Sequence, residues 1–456
     1  MTAAHNVIEL IGNTPIIELS QIDTGPCRLF VKLENQNPGG SIKDRIGLSM
    51  IEAAERDGRL KPGGTIVEAT AGNTGLGLAL VASQKGYRLI IVIPDKMSQE
   101  KIFNLKAMGA EILLTRSDVG KGHPDYYQDK AAAIVKDTPG AIHINQFENP
   151  ANPLAHETGT GPEIWAQMDH DVDAMVCGVG SGGTITGLSR FFEKVNPNTE
   201  MILADPKGSI LADYVDTGEL KTEVGSWLVE GIGEDFIPPV CDLSRVKRAI
   251  TVDDAESFQT AREVLEKTGI LAGTSSGTLI AAAIRYCREQ TEPKRVVTFV
   301  CDSGNKYLSK AFNDYWMFDQ GLLKRKTYGD LRDLISRPFD EGGTVTARPS
   351  DTLMTVYSRM KLNDVSQLPV MEDDQIVGII HESDILLSVY EDQEKFTEPA
   401  SSAMTKGLET VDASANIQDL IPIFDHGHVA IVKDGDSFSG LITRIDLLNY
   451  LRRSAA

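Results

Sequence analysis

Paired cysteines, long apolar runs and an excess of basic charge are all missing from this 456-residue sequence. Its five cysteines, Cys27, Cys177, Cys241, Cys287 and Cys301, are scattered without a C-x-x-C spacing. That excludes a zinc ribbon, argues against a disulfide framework, and points to reduced thiols in a reducing compartment. The longest apolar run, LIIVIP, is far too short to cross a bilayer, and MTAAHNVIELIGNTP has no basic start followed by an apolar stretch. Neither a spanning helix nor a signal peptide is expected. Acids outnumber bases 65 to 45, for a formal net charge of -20, which disfavours contact with a phosphate backbone. What remains is 41% hydrophobic and 24% charged, ordinary for a globular chain with length for about three domains. The expectation is a cytoplasmic enzyme with small-molecule partners, no bound metal, and no nucleic-acid or membrane partner.

From about residue 28 to 310, β-rich runs (RLFVKL, TIVEAT, RLIIVIP, AEILLT, DAMVCGVG, EMILADP, RVVTFVCD) alternate with helical patterns. Two of these patterns, KDRIGLSMIEAAERDG and GNTGLGLALVASQKG, end in Gly, a common helix stop. The alternation predicts an α/β domain with a mainly parallel sheet, whose ligands gather at the carboxyl ends of strands. The last 120 residues differ. IVGIIHESDILLSV (376–389) and FSGLITRIDLLNYL (438–451) are self-similar, with Gly378 matching Gly440 and Asp384 matching Asp446 at a period of 62. Two copies at this period predict two stacked small units. The intervening FDQGLLKRKTYGDLRDLISRP reads as a linker with a helical part.

The stretch MVCGVGSGGTITG places Gly178, Gly180 and Gly183 in a G-x-G-x-x-G pattern after an apolar run, and Asp205 follows Gly183 by 22 positions. This is close to a dinucleotide fingerprint. Glycines let backbone N–H groups approach an anion, and the helix that follows adds its dipole, so the loop reads as a phosphate cradle. The pattern alone leaves open which phosphate, and a tight turn needing only φ > 0 has the same spelling. Lys43, in NPGGSIKDRIGLSM, opens a helical pattern. The positive partial charge there lowers a lysine's pKa and favours a nucleophilic free amine, the form that makes a Schiff base with an aldehyde. In EATAGNTGLGLAL, Thr70, Asn73 and Thr74 offer donors to an anion and also suit a helix cap. Ser275 and Ser276, in GTSSGTLIAAA, precede a helix of small apolar residues.

LIGNTP, KLENQNPGGSIKDR, TAGNTG, NQFENPANP and GVGSGGTITG, in this order, resemble the fold-type II pyridoxal-phosphate enzymes, the family of cysteine synthases and cystathionine β-synthases. The similarity runs from about residue 7 to 315 and decides against the dinucleotide, leaving Asp205 as a strand-end acid. The resemblance implies a tryptophan synthase β-like fold of two α/β subdomains with pyridoxal 5'-phosphate as cofactor. In it Lys43 matches the lysine that carries the cofactor and serves as catalytic base. Gly180, Ser181, Gly182, Gly183 and Thr184 match the phosphate loop, Asn73 the asparagine at the cofactor's 3′ oxygen, and Ser275 the serine facing the ring nitrogen. Thr70, Ala71, Asn73, Thr74 and Gln146 match the segments that hold the substrate α-carboxylate. Ala71 departs from the Ser usual in cysteine synthases.

LVEGIGEDFIP (228–238) resembles the cystathionine β-synthase segment, with Glu230 where cysteine synthases tend to have glutamine; Glu230 and the adjacent Gly231 are expected to serve the second substrate. The C-terminal repeats resemble an α+β tandem CBS-domain (Bateman) module, in which Thr443, Asp446 and Asp384 are candidate contacts for an adenosyl ligand. His381 replaces the hydroxyl residue in the first copy, so at most one good site is expected. The expected layout is a catalytic domain over 1–318, a linker over 319–335, and CBS motifs over 336–395 and 396–456. The expected reaction joins L-serine, or an O-activated serine, to L-homocysteine, with hydrogen sulfide-producing side reactions. The alternatives are a cysteine synthase with an appended module and a non-catalytic adenosyl sensor. Animal cystathionine β-synthases carry a haem-binding extension ahead of the catalytic domain; here His5 alone makes no axial pair and no haem is expected. A homodimer or larger homo-oligomer is expected.

Overall fold

The apolar runs become strands because β-branched residues bounded by glycine and acid fit a pleated, buried surface. The computed structural model describes residues 3–70, 72–95, 99–120, 122–220 and 224–454. Ala71 lies outside them. The chain divides into two compact units, residues 1–312 and 313–456.

The first unit holds two sheets. Ten strands are numbered in chain order: β1 (Ile16–Glu18), β2 (Arg28–Leu33), β3 (Thr65–Ala69), β4 (Arg88–Pro94), β5 (Glu111–Thr115), β6 (Ala141–His143), β7 (Ala174–Cys177), β8 (Glu200–Pro206), β9 (Val246–Val252) and β10 (Arg295–Val300). The larger sheet has the order β1-β2-β10-β7-β8-β9 and the smaller β5-β4-β3-β6. All neighbours are parallel except β1 on β2. Each sheet has a point where the strand order reverses. In the smaller sheet the chain proceeds from β3 to β4 and β5 on one side and returns as β6 on the other. In the larger it proceeds from β7 to β8 and β9, and β10 returns against β7. Such reversals open a crevice at the carboxyl ends of the strands.

Two helices, Lys43–Arg56 and Asn73–Lys85, begin at this crevice. They cross through glycines, since a Cβ on Gly47 would lie 2.7 Å from the carbonyl carbon of Gly77, and one on Gly77 would lie 2.6 Å from the Lys43 oxygen. Only a residue without a side chain allows this approach. Ile46, Met50, Leu76, Leu78 and Ile91 fill the core beneath.

In the second unit the repeat is carried into the backbone. β11 (Gln367–Glu372) pairs with β12 (Gln375–His381), and β14 (Ala430–Asp434) with β15 (Ser437–Ile442), each antiparallel; β13 (Thr410–Asp412) runs parallel to β14. The register shifts after Val370 in one pair and after Val432 in the other, opposite Gly378 and Gly440. The same period of 62 therefore places the same bulge. Leu331, Leu334 and Ile335, from the stretch read as linker, are buried in the core around β14 and β15. Their apolar spacing has a packing partner within this unit, a partner invisible to a local reading of charge.

Candidate active site

The reversals of both sheets open into one cleft of about 1100 Å³, lined by Lys43, Thr70, Asn73, Thr74, Gln146, Gly180 to Thr184, Glu230, Gly231 and Ser275 among others. The described candidate catalytic, cofactor and substrate residues thus meet, although they come from segments more than two hundred positions apart.

Lys43 is placed by the exit of β10. Ile42 N–H donates to the Cys301 carbonyl at 2.8 Å, and Ser41 forms a bridge with Asp302. Lys43 then starts its helix deep in the cleft. Burial is the main cause that pushes its amine below the usual lysine value, against the pull of Cys301, Asp302 and Glu234. The sequence argument relied on the helix dipole; the structure substitutes desolvation, which disfavours the ammonium form more strongly.

The glycine loop leaves β7 and turns into the helix Gly183–Val195, with Gly182 at φ +83°. A Cβ on Gly183 would collide with Asn152 Oδ1, one on Gly182 with Cys241, and one on Gly180 would stand 2.5 Å from the Gly231 carbonyl oxygen. The loop is thus a cradle that side chains would fill. The first turn of its helix supplies N–H groups without intrahelical acceptors. Asn152 braces the loop, donating to Ser181 Oγ at 2.9 Å and to the Gln146 carbonyl at 2.8 Å. Thr184 Oγ1 lies 3.3 Å from His156 Nε2, and His156 Nδ1 lies 3.0 Å from Thr160 Oγ1. Burial and the nearby cations hold His156 well below its usual value, so it is neutral. Glycine cradle, helix N-terminus and a buried free amine in one cleft fit an aldehyde-bearing phosphate ester.

Asn73 is gripped at both ends: its Nδ2 donates to Asp302 Oδ2 at 2.8 Å and its Oδ1 accepts from Lys306 Nζ at 2.7 Å. Tyr307 donates to the same Asp302 oxygen at 2.7 Å. Thr74 Oγ1 donates to Gln146 Oε1 at 2.7 Å, joining the β3 and β6 sides of the smaller sheet's reversal. Thr70 Oγ1 accepts from Gly72 N–H at 3.4 Å. Ser275, buried in the first turn of the helix Thr274–Arg288, contacts the Cys301 thiol, which burial pushes up to about 12.

Glu230 is bridged by two lysines: Lys101 contacts one carboxylate oxygen and Lys310 the other at 2.8 Å. These partners outweigh burial and hold it below its usual value. The carboxylate expected to serve the second substrate is thus already paired within the chain. Gly231, at φ +91°, turns the chain beneath the glycine loop.

Sequence reasoning missed Lys101, Lys310, Asn152, His156 and Asp302, each set in this cleft or its wall by tertiary approach. Asp205 is fully buried and accepts from Ala212 N–H at 2.9 Å, so it caps the helix Leu211–Thr217. In the second unit, Asp384 accepts from His381 N–H at 2.8 Å and Asp446 from Thr443 N–H at 2.7 Å, again one period apart. Thr443 Oγ1 also donates to Asp446, whose other oxygen accepts from Ser336 Oγ. Among the described residues, no group of three or more His, Cys, Asp or Glu is arranged to hold a metal, and no helix is long and apolar enough to cross a membrane.

Residues 7–302 match the pyridoxal-phosphate dependent enzyme family, and residues 331–391 and 400–453 each match the CBS domain. Cystathionine beta-synthase from Apis mellifera is 36% identical, over 98% of this chain and 91% of its own length. The Saccharomyces cerevisiae cystathionine beta-synthase is 35% identical, over 98% of both. A hydrogen sulfide-producing enzyme from Fusobacterium nucleatum superposes with a TM-score of 0.63 at 38% identity, over 67% of this chain and all of its own. An O-acetylserine dependent cystathionine beta-synthase from Helicobacter pylori gives 0.63 at 34% identity, over 68% of this chain and 99% of its own.

Proposed function

The chain belongs to the pyridoxal-phosphate dependent enzymes of fold-type II, among the cystathionine β-synthases with paired C-terminal CBS domains, and from that premise we propose that it condenses L-serine or an O-activated serine with L-homocysteine to give cystathionine. The observation that carries this is the meeting of Lys43, the glycine cradle and Asn73 at the two sheet reversals in one cleft. When bound, pyridoxal phosphate supplies the electron sink that makes the substrate Cα–H acidic.

The chain's residues do the rest. Gly180 to Thr184 hold the phosphate through backbone N–H groups and the Thr184 hydroxyl. Asn73 meets the 3′ oxygen, kept in place by Asp302 and Lys306. Ser275 would give the ring nitrogen a neutral partner that need not keep it protonated, which would moderate the sink and favour prompt loss of the β-substituent. Thr70, Thr74 and Gln146 receive the substrate carboxylate. Lys43, whose ammonium form burial disfavours, takes the Cα proton and later returns it. Lys101, Glu230 and Lys310 form a charged rim, net positive by one, suited to the zwitterionic end of homocysteine. A thiol as small as hydrogen sulfide has no such end to bind, so this rim favours the amino acid thiol; the likeness to a hydrogen sulfide-producing enzyme supports a sulfide-releasing side reaction.

The reading includes an adenosyl ligand in the CBS module, a cytoplasmic setting and self-association, and no haem. Mass spectrometry of products from isotopically labelled L-serine and L-homocysteine tests the reaction. Labelled cystathionine supports it, and unreacted substrates with cofactor-loaded protein overturn it.

A further inference from the structure

Four residues beyond Glu230, a second carboxyl enters the same cleft with different surroundings. Gly231 and Gly233, at φ +91° and +86°, fold the segment back on itself, and Gly233 N–H donates to the Val179 carbonyl at 2.8 Å, tying it to the glycine loop. The backbone of Glu234 is fixed on both sides. Its N–H donates to Ser209 Oγ at 3.1 Å, and its carbonyl accepts from Ser209 Oγ at 3.2 Å and Ile210 N–H at 3.1 Å. Its side chain lines the cleft together with Lys43. Among the described residues its carboxyl has no hydrogen-bond partner, whereas Glu230 has two lysines. Burial first, then Asp235 and Asp205, push Glu234 up to about 8, with Lys43 pulling the other way; Tyr126, Tyr127 and Cys241 also face it. Its surroundings thus favour the protonated carboxyl.

A carboxylate such as acetate leaves a β-carbon unaided, but hydroxide is too basic and must leave as water. We propose that Glu234 is the acid for the serine hydroxyl and the base for the homocysteine thiol, which makes L-serine itself a substrate of this site. The proposal rests on the functional reading above. In the first half, Lys43 takes the Cα proton and the Cα–H pair forms the Cα–Cβ double bond. The Cβ–O bond breaks with its electron pair on oxygen, and the Glu234 O–H proton completes a water molecule. In the second half, the thiol proton passes to the Glu234 carboxylate, sulfur bonds Cβ, and Lys43 returns its proton to Cα. Both side chains end as they began, and serine plus homocysteine has become cystathionine plus water.

The test compares kcat/KM for L-serine and for O-acetylserine, each with homocysteine, in wild type, Glu234→Gln and Glu234→Asp. Loss of a general acid costs roughly 10²–10⁴-fold. The expected result is a fall in that range with serine for Glu234→Gln, less than about fivefold with O-acetylserine, and partial recovery with serine in Glu234→Asp. Infrared difference spectroscopy of the holoenzyme gives an independent readout. A protonated-carboxyl band titrating near pH 8 should disappear in Glu234→Gln, while that of Glu68 remains. Equal losses with the two donors, as expected if Lys43 alone moves both protons, overturn the proposal, as does an unchanged infrared band. A wild type that makes no cystathionine from either donor overturns the functional reading and the proposal with it.

Discussion

At the residue scale, function depends on where burial sets each proton. Burial disfavours the charged forms of both Lys43 and Glu68. Removing the Lys43 amine removes the carrier of the Cα proton, so Lys43→Ala should lower turnover by about 10²–10⁴-fold. The protein should still bind some cofactor non-covalently, and turnover at the wild-type rate would contradict the assignment. Glu68, buried within β3, accepts from Asn145 N–H at 2.7 Å, and burial pushes it up to about 8 from 4.5. Between these values the folded state holds a proton that the unfolded chain has lost. The contribution of Glu68 to stability must therefore fall as pH rises through that window and level off above it. Glu68→Gln should flatten this slope, measured as the difference in denaturant midpoint between about pH 5 and pH 8.5; an unchanged slope would show that Glu68 does not titrate there. Glu230→Gln should cut cystathionine formation more than the first-half elimination, because it unbalances the lysine pair at the rim. Equal losses in both halves would give Glu230 a structural role only.

At the element scale, the site is made by strand ends and helix starts, and its legibility follows from that. Thr70, Asn73 and Ser181 stand where a strand hands over to a helix, and Lys43 and Ser275 in the first turn of one, at glycine-rich spellings that local sequence displays. Lys101, Lys310 and Asn152 sit in stretches with no such punctuation; packing alone brings the two lysines into the cleft and Asn152 behind the glycine loop. The same holds for the group of Lys32, Glu34, Arg45 and Glu163, which pins the helix Lys43–Arg56 through Arg45 to Glu34 and to Glu163, each at 2.7 Å, while Lys32 Nζ meets Glu163 at 2.8 Å. Nothing in the sequence pairs these charges, because their partners lie on different elements. The glycine loop gives the element-scale prediction. Gly183→Ala places a methyl on Asn152 Oδ1 and should weaken cofactor affinity by at least about tenfold, the equivalent of about 1.4 kcal/mol. Equilibrium dialysis of the apoprotein measures this, and undiminished affinity would remove the loop from the phosphate site.

At the scale of the whole molecule, a catalytic unit is joined to a repeat whose two copies share bulge, cap and period. Apolar side chains at the repeat's surface, among them Leu386, Leu387 and Tyr390 on one copy and Leu448 and Leu451 on the other, are exposed in the single chain. Apolar surface of this kind supports self-association. Removing residues 313–456 should therefore reduce the oligomer seen by light scattering; an unchanged mass would move the self-association to the catalytic unit. His381 in place of a hydroxyl leaves Thr443 and Asp446 as the one good site, where a ribose must displace Ser336, so binding of S-adenosylmethionine, ATP or AMP should not exceed one per chain by calorimetry and should be lost in Asp446→Ala. An effector alters activity only through unequal affinity for two states of the enzyme. What the cleft selects is the acceptor. Supplying L-serine with equimolar L-homocysteine and sulfide and quantifying both products measures that choice. Cystathionine should form in clear excess; cysteine as the main product would show that the rim does not favour homocysteine.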